Sequence, residues 1–162
     1  MEGVGNHIPP DFIKKQIFIS GGAFLRIHQF INEPPQKRRF FVLNKNPESD
    51  SKIITVHATT QIEKRKKHRP PEVLVEIKPE EYPALTEHSI IDCESYIVWY
   101  KPILESQIEK GNIQPLQQLP TLKLKELRNA IGRSKTLAPI DKRLVIGEEE
   151  IMDSTSSSSP EN

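Results

Sequence analysis

The chain has 162 residues, 35% of them hydrophobic, and its 23 Lys and Arg nearly balance its 22 Asp and Glu. This length and composition predict one domain built around one moderate hydrophobic core. The single cysteine, Cys93, excludes an internal disulfide framework and a zinc cluster. No apolar stretch approaches the roughly 18 residues that span a bilayer, and no basic-then-apolar leader follows Met1. The sequence therefore predicts a protein of the reducing cytoplasm with no membrane partner.

The net charge of +1 hides an uneven distribution of charges along the chain. Residues 1–69 contain 13 Lys or Arg and 6 Asp or Glu, a net charge of +7, whereas residues 70–162 contain 10 and 16, a net charge of −6. This asymmetry indicates either an anion-binding front half with an acidic back half, or two halves that pair with each other in the fold.

The first 43 residues predict a flexible arm followed by β-structure. Residues 1–15 hold two glycines and two prolines and are expected to form the arm, while the apolar run 16–19 leads to a Gly-Gly pair typical of a hairpin. Residues 23–30 alternate between two faces, as strand residues do. Two prolines then interrupt the strand, and an aromatic and β-branched strand resumes over residues 38–43.

A run of basic residues lies between the two clearest strands, residues 52–60 and 72–77. Five of the six positions from Lys64 to Arg69 are Lys or Arg, and the sixth is His68. Because like charges packed this closely repel one another, the run is predicted to be a loop that binds a polyanion such as a phosphate backbone. The alternative is a solvated loop that keeps the two strands soluble.

The second half of the chain predicts further strands and a short helix. A turn at residues 81–85 precedes a strand at residues 89–93, and strand formers continue to residue 100. Residues 103–110 are expected to form a short helix that ends at Gly111, because glycine favours the conformation that follows a helix C-terminus.

The clearest helical pattern spans residues 121–132. Leu124, Leu127 and Ile131 recur with helical spacing and should pack on the sheet, and Thr121 is the predicted N-cap. Beyond this helix the composition becomes acidic and Ser-rich, and such a segment buries too little apolar surface to offset the entropy of ordering. Residues 138–162 are therefore predicted to be a disordered tail.

These elements predict a mainly β fold with a C-terminal helix. About six short strands and one main helix suit a small barrel-like single domain. The predicted organisation is an arm at residues 1–15, a barrel domain at residues 16–137 and the acidic tail at residues 138–162.

Three short motifs in this order resemble a known family. Residues 38–44, Arg-Arg-Phe-Phe-Val-Leu-Asn, form a basic strand; residues 59–61, Thr-Thr-Gln, end the next one; and residues 85–89 approach a strand that carries Asp92-Cys93. Together, over about residues 16–135, they resemble the PemK/MazF-type toxins of toxin-antitoxin systems, whose fold is an SH3-like barrel. The chain departs from the family in lacking the opening Gly-Asp and the proline after the arginine.

The resemblance implies a metal-independent endoribonuclease that cleaves single-stranded RNA and needs no cofactor. In that reaction the ribose 2′-hydroxyl attacks the adjacent phosphate, so a base, an acid and a cation for the phosphorane oxygens are required. The residues implied by the motifs are Arg38 or Arg39 for the phosphate charge, and Thr59 and Thr60 as hydrogen-bond donors. His57 is a further candidate, because a neutral histidine can act as an acid or a base.

Each of these candidates also has a purely structural interpretation. Arg38 and Arg39 point to opposite faces of their strand, so only one of them is expected to face the site. A threonine at a strand end is commonly a β-former with a local backbone hydrogen bond. His57, which shares a strand face with Thr59, fits better with a partly buried histidine that has no chemical role than with a catalytic one.

The predicted RNA-binding residues are those of the basic run: Lys64, Arg65, Lys66, Lys67 and Arg69. Cys93 is predicted to be inert, because neighbouring carboxylates raise the pKa of a thiol. Tyr96, Trp99 and Tyr100 either stack on bases or belong to the core or a dimer interface.

Three functions from different classes remain open. The first is a toxin-like endoribonuclease, the second is a barrel that binds nucleic acid without cleaving it, and the third is an interaction module for an acidic protein partner. The partners expected from the resemblance are RNA, an antitoxin protein and a second copy of the chain.

Overall fold

The computed structural model of the protein describes residues 8–28 and 36–147, and in these residues seven strands form an antiparallel sheet flanked by helices. The strands are β1 (Ala23–His28), β2 (Gln36–Val42), β3 (Lys52–Thr59), β4 (Leu74–Ile77), β5 (Ser89–Asp92), β6 (Ile97–Tyr100) and β7 (Ile113–Leu116). The helices are α1 (Pro10–Ile17), α2 (Ile62–His68), α3 (Lys101–Glu109), α4 (Thr121–Gly132) and α5 (residues 139–147). None of the helices in these ranges is long and apolar enough to cross a membrane.

The strand order is β4-β5-β3-β2-β1-β7, and β6 also pairs with β3. The first half of β3 pairs with β6, and its last residues, Ala58 and Thr59, pair with β5. Along its other edge β3 pairs with β2. A single long strand of β-branched residues therefore connects two parts of the sheet, and its C-terminal end lies where those parts meet.

Apolar side chains are buried on both faces of the sheet, which gives two clusters rather than the one core expected from composition. On one face Phe41 and Val56 pack with Leu127 of α4. On the other face Phe40 packs with Trp99 and with Ile17 of α1. Successive residues of β2, Phe40 and Phe41, supply opposite faces because strand side chains alternate.

The predicted fold class, mainly β with a C-terminal helix in a single domain, is confirmed. Helix α4 has the predicted bounds, and Leu124, Leu127 and Ile131 are buried. Gly111 follows α3 with a φ of 81°, as expected for a residue just past a helix C-terminus. The predicted N-cap of α4 is wrong: Pro120 occupies that position, and Thr121 is the first helical residue.

The described residues contain one strand more than predicted. Strand β7 is short and contains Pro115, whose missing N–H argues against a central strand. It is tolerated because β7 is an edge strand that pairs with β1 alone.

Both ends of the described region also differ from expectation. Residues 16–19 do not begin a hairpin, because α1 extends through Ile17, which is fully buried, and the Gly-Gly pair links this helix to β1. At the other end α5 lies inside the predicted tail, with Val145 fully buried. The predicted domain ends, residues 16 and 137, therefore fall inside α1 and just before α5, while residues 1–7 and 148–162 of the arm and tail lie outside the described residues.

Candidate active site

A pocket of about 560 Å³ opens where the C-terminal end of β3 lies beside the N-terminal half of β2 and helix α2. Because the two strands are antiparallel neighbours, residues early in β2 and late in β3 come together. All five residues that were predicted to carry the chemistry line this pocket: Arg38, Arg39, His57, Thr59 and Thr60. Further lining residues that the motifs did not single out for chemistry are Leu85, Thr86, Glu87, Ser89 and Ser95.

Arg38 and Arg39 both line the pocket, so the expectation that only one of them can face it is wrong. Their backbone positions do alternate, with Arg38 opposite Arg26 and Arg39 opposite Leu25 on β1. Arg39 Nε donates a hydrogen bond of 2.8 Å to the carbonyl oxygen of Ala84, which fixes one edge of its guanidinium. Long side chains at a strand end reach the same opening from opposite faces.

His57 is held neutral at pH 7 by its surroundings. Burial is the largest cause that lowers the pKa of His57, and the charges of Arg38 and Arg65 lower it further, to about 4, against a smaller opposing effect of Asp92. Its Nδ1 atom is buried and has no hydrogen-bond partner among the described residues. The imidazole is therefore an uncharged proton acceptor beside a pocket lined with arginines.

The two threonines differ in their surroundings. The backbone N–H of Gln61 donates to Thr59 Oγ1 at 3.3 Å, the local bond expected of a threonine at a strand end. This bond uses an oxygen lone pair, so the hydroxyl proton remains available as a donor. Thr60 is exposed at the mouth of the pocket.

The basic run is a helix rather than the predicted loop. Most of it forms α2, and Arg69 follows as the C-cap residue. Arg65 Nη1 lies 3.1 Å and Arg69 Nε 2.9 Å from the same carboxylate oxygen of Asp92. Lys66 Nζ lies 2.8 Å from Glu76.

These ion pairs decide between the two interpretations of the charge asymmetry. The basic front half contacts carboxylates of the acidic back half, and Lys52 does so too, 3.1 Å from Asp141. The like-charge repulsion that indicated a polyanion is thus partly relieved inside the protein. Of the run, Lys64 and Lys67 are exposed and form no ion pair with other residues of the described ranges.

A second pocket of about 660 Å³ continues from the first, since Thr60 and Gln61 line both. Lys64 and Lys66 of α2 and the Glu76–His88 pair also line it. His88 Nε2 lies 2.8 Å from Glu76 Oε1. Lys64 therefore stands beside an open groove that is continuous with the candidate active site.

Cys93 takes no part in the pocket. It is fully buried in the cluster beneath α4, and burial raises the pKa of its thiol to about 12, with Asp92 and Glu94 adding to the effect. Trp99 is likewise a core residue, whereas Tyr100 is exposed. Within the described residues no group of three His, Cys, Asp or Glu side chains is placed to hold a metal ion.

Two solved structures are among those similar to this chain. One is an endoribonuclease in complex with its cognate antitoxin from a mycobacterial species, at 10% identity and a TM-score of 0.47, covering 74% of this chain and 96% of that chain. Another is a MazE-MazF complex from Deinococcus radiodurans, also at 10% identity and a TM-score of 0.47, covering 72% and 94%. No protein-family model matches the chain, and no curated protein matches it significantly.

Proposed function

We propose that this protein is a toxin-type, metal-independent endoribonuclease that cleaves single-stranded RNA through attack of the ribose 2′-hydroxyl on the adjacent phosphate. The observation that supports the proposal is the convergence of two arginines, two threonine hydroxyls and a neutral histidine on one pocket. These groups come from two adjacent strands, so a rigid scaffold positions them. Together they provide a charged clamp for a phosphate and a proton acceptor.

The arginines stabilise the charge that grows on the phosphorane oxygens. A guanidinium stays charged at all relevant pH values and matches two phosphate oxygens with parallel donors. Arg39 is held by a hydrogen bond from its Nε atom to the carbonyl oxygen of Ala84. The hydroxyls of Thr59 and Thr60 add neutral donors to the same oxygens.

His57 takes the proton of the 2′-hydroxyl. A group with a pKa of about 4 is a weak base at neutral pH; burial lowers this pKa most, and the charges of Arg38 and Arg65, which line the pocket, lower it further. A phosphate anion offsets those charges, so binding of the substrate raises the pKa of His57 toward the value of an effective base. The imidazolium formed in this step can then return its proton to the leaving oxygen.

We also propose, from the motif resemblance, that an antitoxin protein and a second copy of the chain are partners, and that the protein acts in the cytoplasm. A complementary acidic segment suits the exposed cations of the pocket and of α2.

The deciding experiment is cleavage of a labelled RNA pool in the presence of a chelator. Arg39→Ala should abolish cleavage with a much smaller loss of RNA affinity, because its contribution is concentrated in the transition state. Arg133→Ala, at the C-terminal end of α4 and outside the pocket, is the matched control and should cleave normally. A folded wild-type protein that cuts no RNA without metal would refute the nuclease.

A second candidate function is binding of nucleic acid without cleavage. The low pKa of His57 favours it, because the free protein holds no strong base in the pocket. Salt-dependent binding of RNA with no products would select this function. If the protein neither binds nor cleaves RNA, the remaining function is an interaction module for an acidic protein.

A further inference from the structure

Asp92 is the centre of a buried polar network beneath the candidate active site. Its side chain is 3% exposed. Oδ2 accepts from Arg65 Nη1 at 3.1 Å, Arg69 Nε at 2.9 Å and Ser95 Oγ at 3.0 Å, and Oδ1 accepts from the backbone N–H of Glu94 at 3.0 Å. Arg65 Nη1 also lies 3.2 Å from Ser95 Oγ.

This network attaches α2 to the domain, beside the ion pair between Lys66 and Glu76. The helix has seven residues and none of them is buried. A helix of this length is not stable by itself in water, and a fully buried apolar side chain does not anchor this one. The paired arginines, Arg65 and Arg69, are one turn apart on the face toward Asp92, so the carboxylate fixes that face of α2.

The network also determines where Arg65 lies in the pocket. Arg65 lines the pocket, while its Nη1 atom is committed to Asp92 and Ser95. Its Nε atom is buried and has no hydrogen-bond partner among the described residues. Two arginines share one carboxylate, so the cluster keeps a net charge of +1 beside the phosphate position.

We propose that Asp92 is a positioning residue that fixes Arg65 at the phosphate pocket, and that Arg65 is a catalytic residue supplied by α2. This inference rests on the proposed function and adds to it a group outside the strand motifs. Asp92 does not line the pocket, so it would act on a bound phosphate through Arg65, besides its smaller effect on the pKa of His57.

The variant Asp92→Asn separates the effect of charge on RNA binding from the effect of the position of Arg65. Asp92→Asn removes a negative charge, so charge alone predicts tighter binding of an anion. If Asp92 positions Arg65, the same variant should lose about 100-fold in kcat, since a misplaced catalytic group costs this much, while RNA affinity is kept or increased. Unchanged kcat in a folded Asp92→Asn protein would overturn the proposal.

Arg65→Gln and Arg133→Gln form a pair that does not depend on the folding of the Asp92 variant. Each removes one positive charge, and the exposed Arg133 lies at the C-terminal end of α4, outside the pocket. Arg65→Gln should lower kcat by about 100-fold, whereas Arg133→Gln should change it by no more than about threefold. Arg65→Lys, which keeps the charge and loses the planar fork, should fall between them. Equal effects of the two Gln variants would overturn the proposal.

Two measurements separate this inference from the nuclease itself. The pKa of His57, followed by NMR in the free protein, should rise in Arg65→Gln because a positive charge facing the ring from α2 is removed, while Arg38 on β2 and Asp92 on β5 remain. Binding of inorganic phosphate should weaken in Arg65→Gln and persist in Arg133→Gln. If the wild-type protein does not cleave RNA, the proposed function fails, and these two measurements still decide whether Arg65 faces an anion pocket. Equal results for the two variants in both measurements would refute that placement.

Discussion

The imidazole of His57 lies against the ring of Phe40, with ring centroids 5.5 Å apart and planes tilted by 52°. The two residues are cross-strand partners on β3 and β2. Phe40 is fully buried and stacks in turn on Phe24, so one side of the imidazole contacts the apolar cluster while the other lines the pocket. His57 thus contacts both the hydrophobic core and the candidate active site.

The burial of His57 should make the stability of the protein depend on pH. The pKa of His57 is about 4 in the folded protein, below its ordinary value of 6.5, so the unfolded chain binds the proton first as the pH falls. The contribution of His57 to the free energy of unfolding is fully present above about pH 6.5. It is lost as the pH falls from 6.5 to 4, by roughly 3 kcal/mol in total. Urea unfolding at pH 7.5 and 4.5 measures the loss, and His57→Gln should show a smaller one. An equal loss of stability in both proteins would show that a group other than His57 causes it.

Lys64 and Lys67 should differ in RNA binding although both are exposed lysines of α2. Only Lys64 lines the groove that continues from the candidate active site. Lys64→Gln should lower the affinity for single-stranded RNA and reduce the slope of log K against log salt by about 0.7, the value for one lost phosphate contact. Lys67→Gln is the control and should keep the wild-type slope. Matching slopes for the two variants would contradict a strand path through this groove.

Helix α4 offers a matched test of the core. Leu127 is fully buried, whereas Leu122, in the same helix, is 78% exposed. Leu127→Asp buries a carboxylate among apolar side chains and should lower the free energy of unfolding by at least about 3 kcal/mol, or unfold the domain. Leu122→Asp should change it by less than about 0.5 kcal/mol. Thermal unfolding followed by circular dichroism distinguishes them, and similar melting temperatures would show that the helix face is misassigned.

Gly22 is required by a close approach of two backbones. A Cβ atom at this position would overlap with the carbonyl oxygen of Ile17, at the end of α1. Gly22→Ala should therefore destabilise the protein by about 1 to 3 kcal/mol through overpacking. Gly132→Ala is the opposite case, since its Cβ would have ordinary contacts with Ile146 at 3.8 Å, and it should stabilise by about 0.5 kcal/mol. Chemical denaturation of both variants tests the pair, and equal stabilities would contradict it.

The sequence predicted those elements whose signals are local. The β-branched run of β3 and the 3.6-residue spacing of α4 each specify their own structure. Helix α2 could not be predicted in this way, because it has no apolar face and is held by Asp92, which lies 27 residues from Arg65. Strand β7 was missed for a similar reason, since four residues with a proline become a strand only beside β1.

The candidate site shows the same difference between features with local sequence signals and features that depend on distant residues. The motif residues of β2 and β3 line one pocket because neighbouring strands carry them, which the sequence could indicate. The contacts of Arg65 and Arg69 within the protein were not predicted. Their positive charge suggested contacts with RNA, but nothing in the local sequence showed that a buried carboxylate on another strand pairs with both. Whether the pocket residues act as proposed stays a prediction.

The pairing of β1 with β7 has a consequence for the newly made chain. Ala23 pairs with Leu116, so the outer edge of β1 has no ladder partner until most of the domain has left the ribosome. Its inner partner, β2, follows almost at once, and β3 and helix α1, whose residues share a cluster with Phe24 and Phe40, are also made before β7. The sheet is therefore completed by a contact between residues far apart in sequence, and pairing of this kind slows folding and leaves a strand edge open in the meantime.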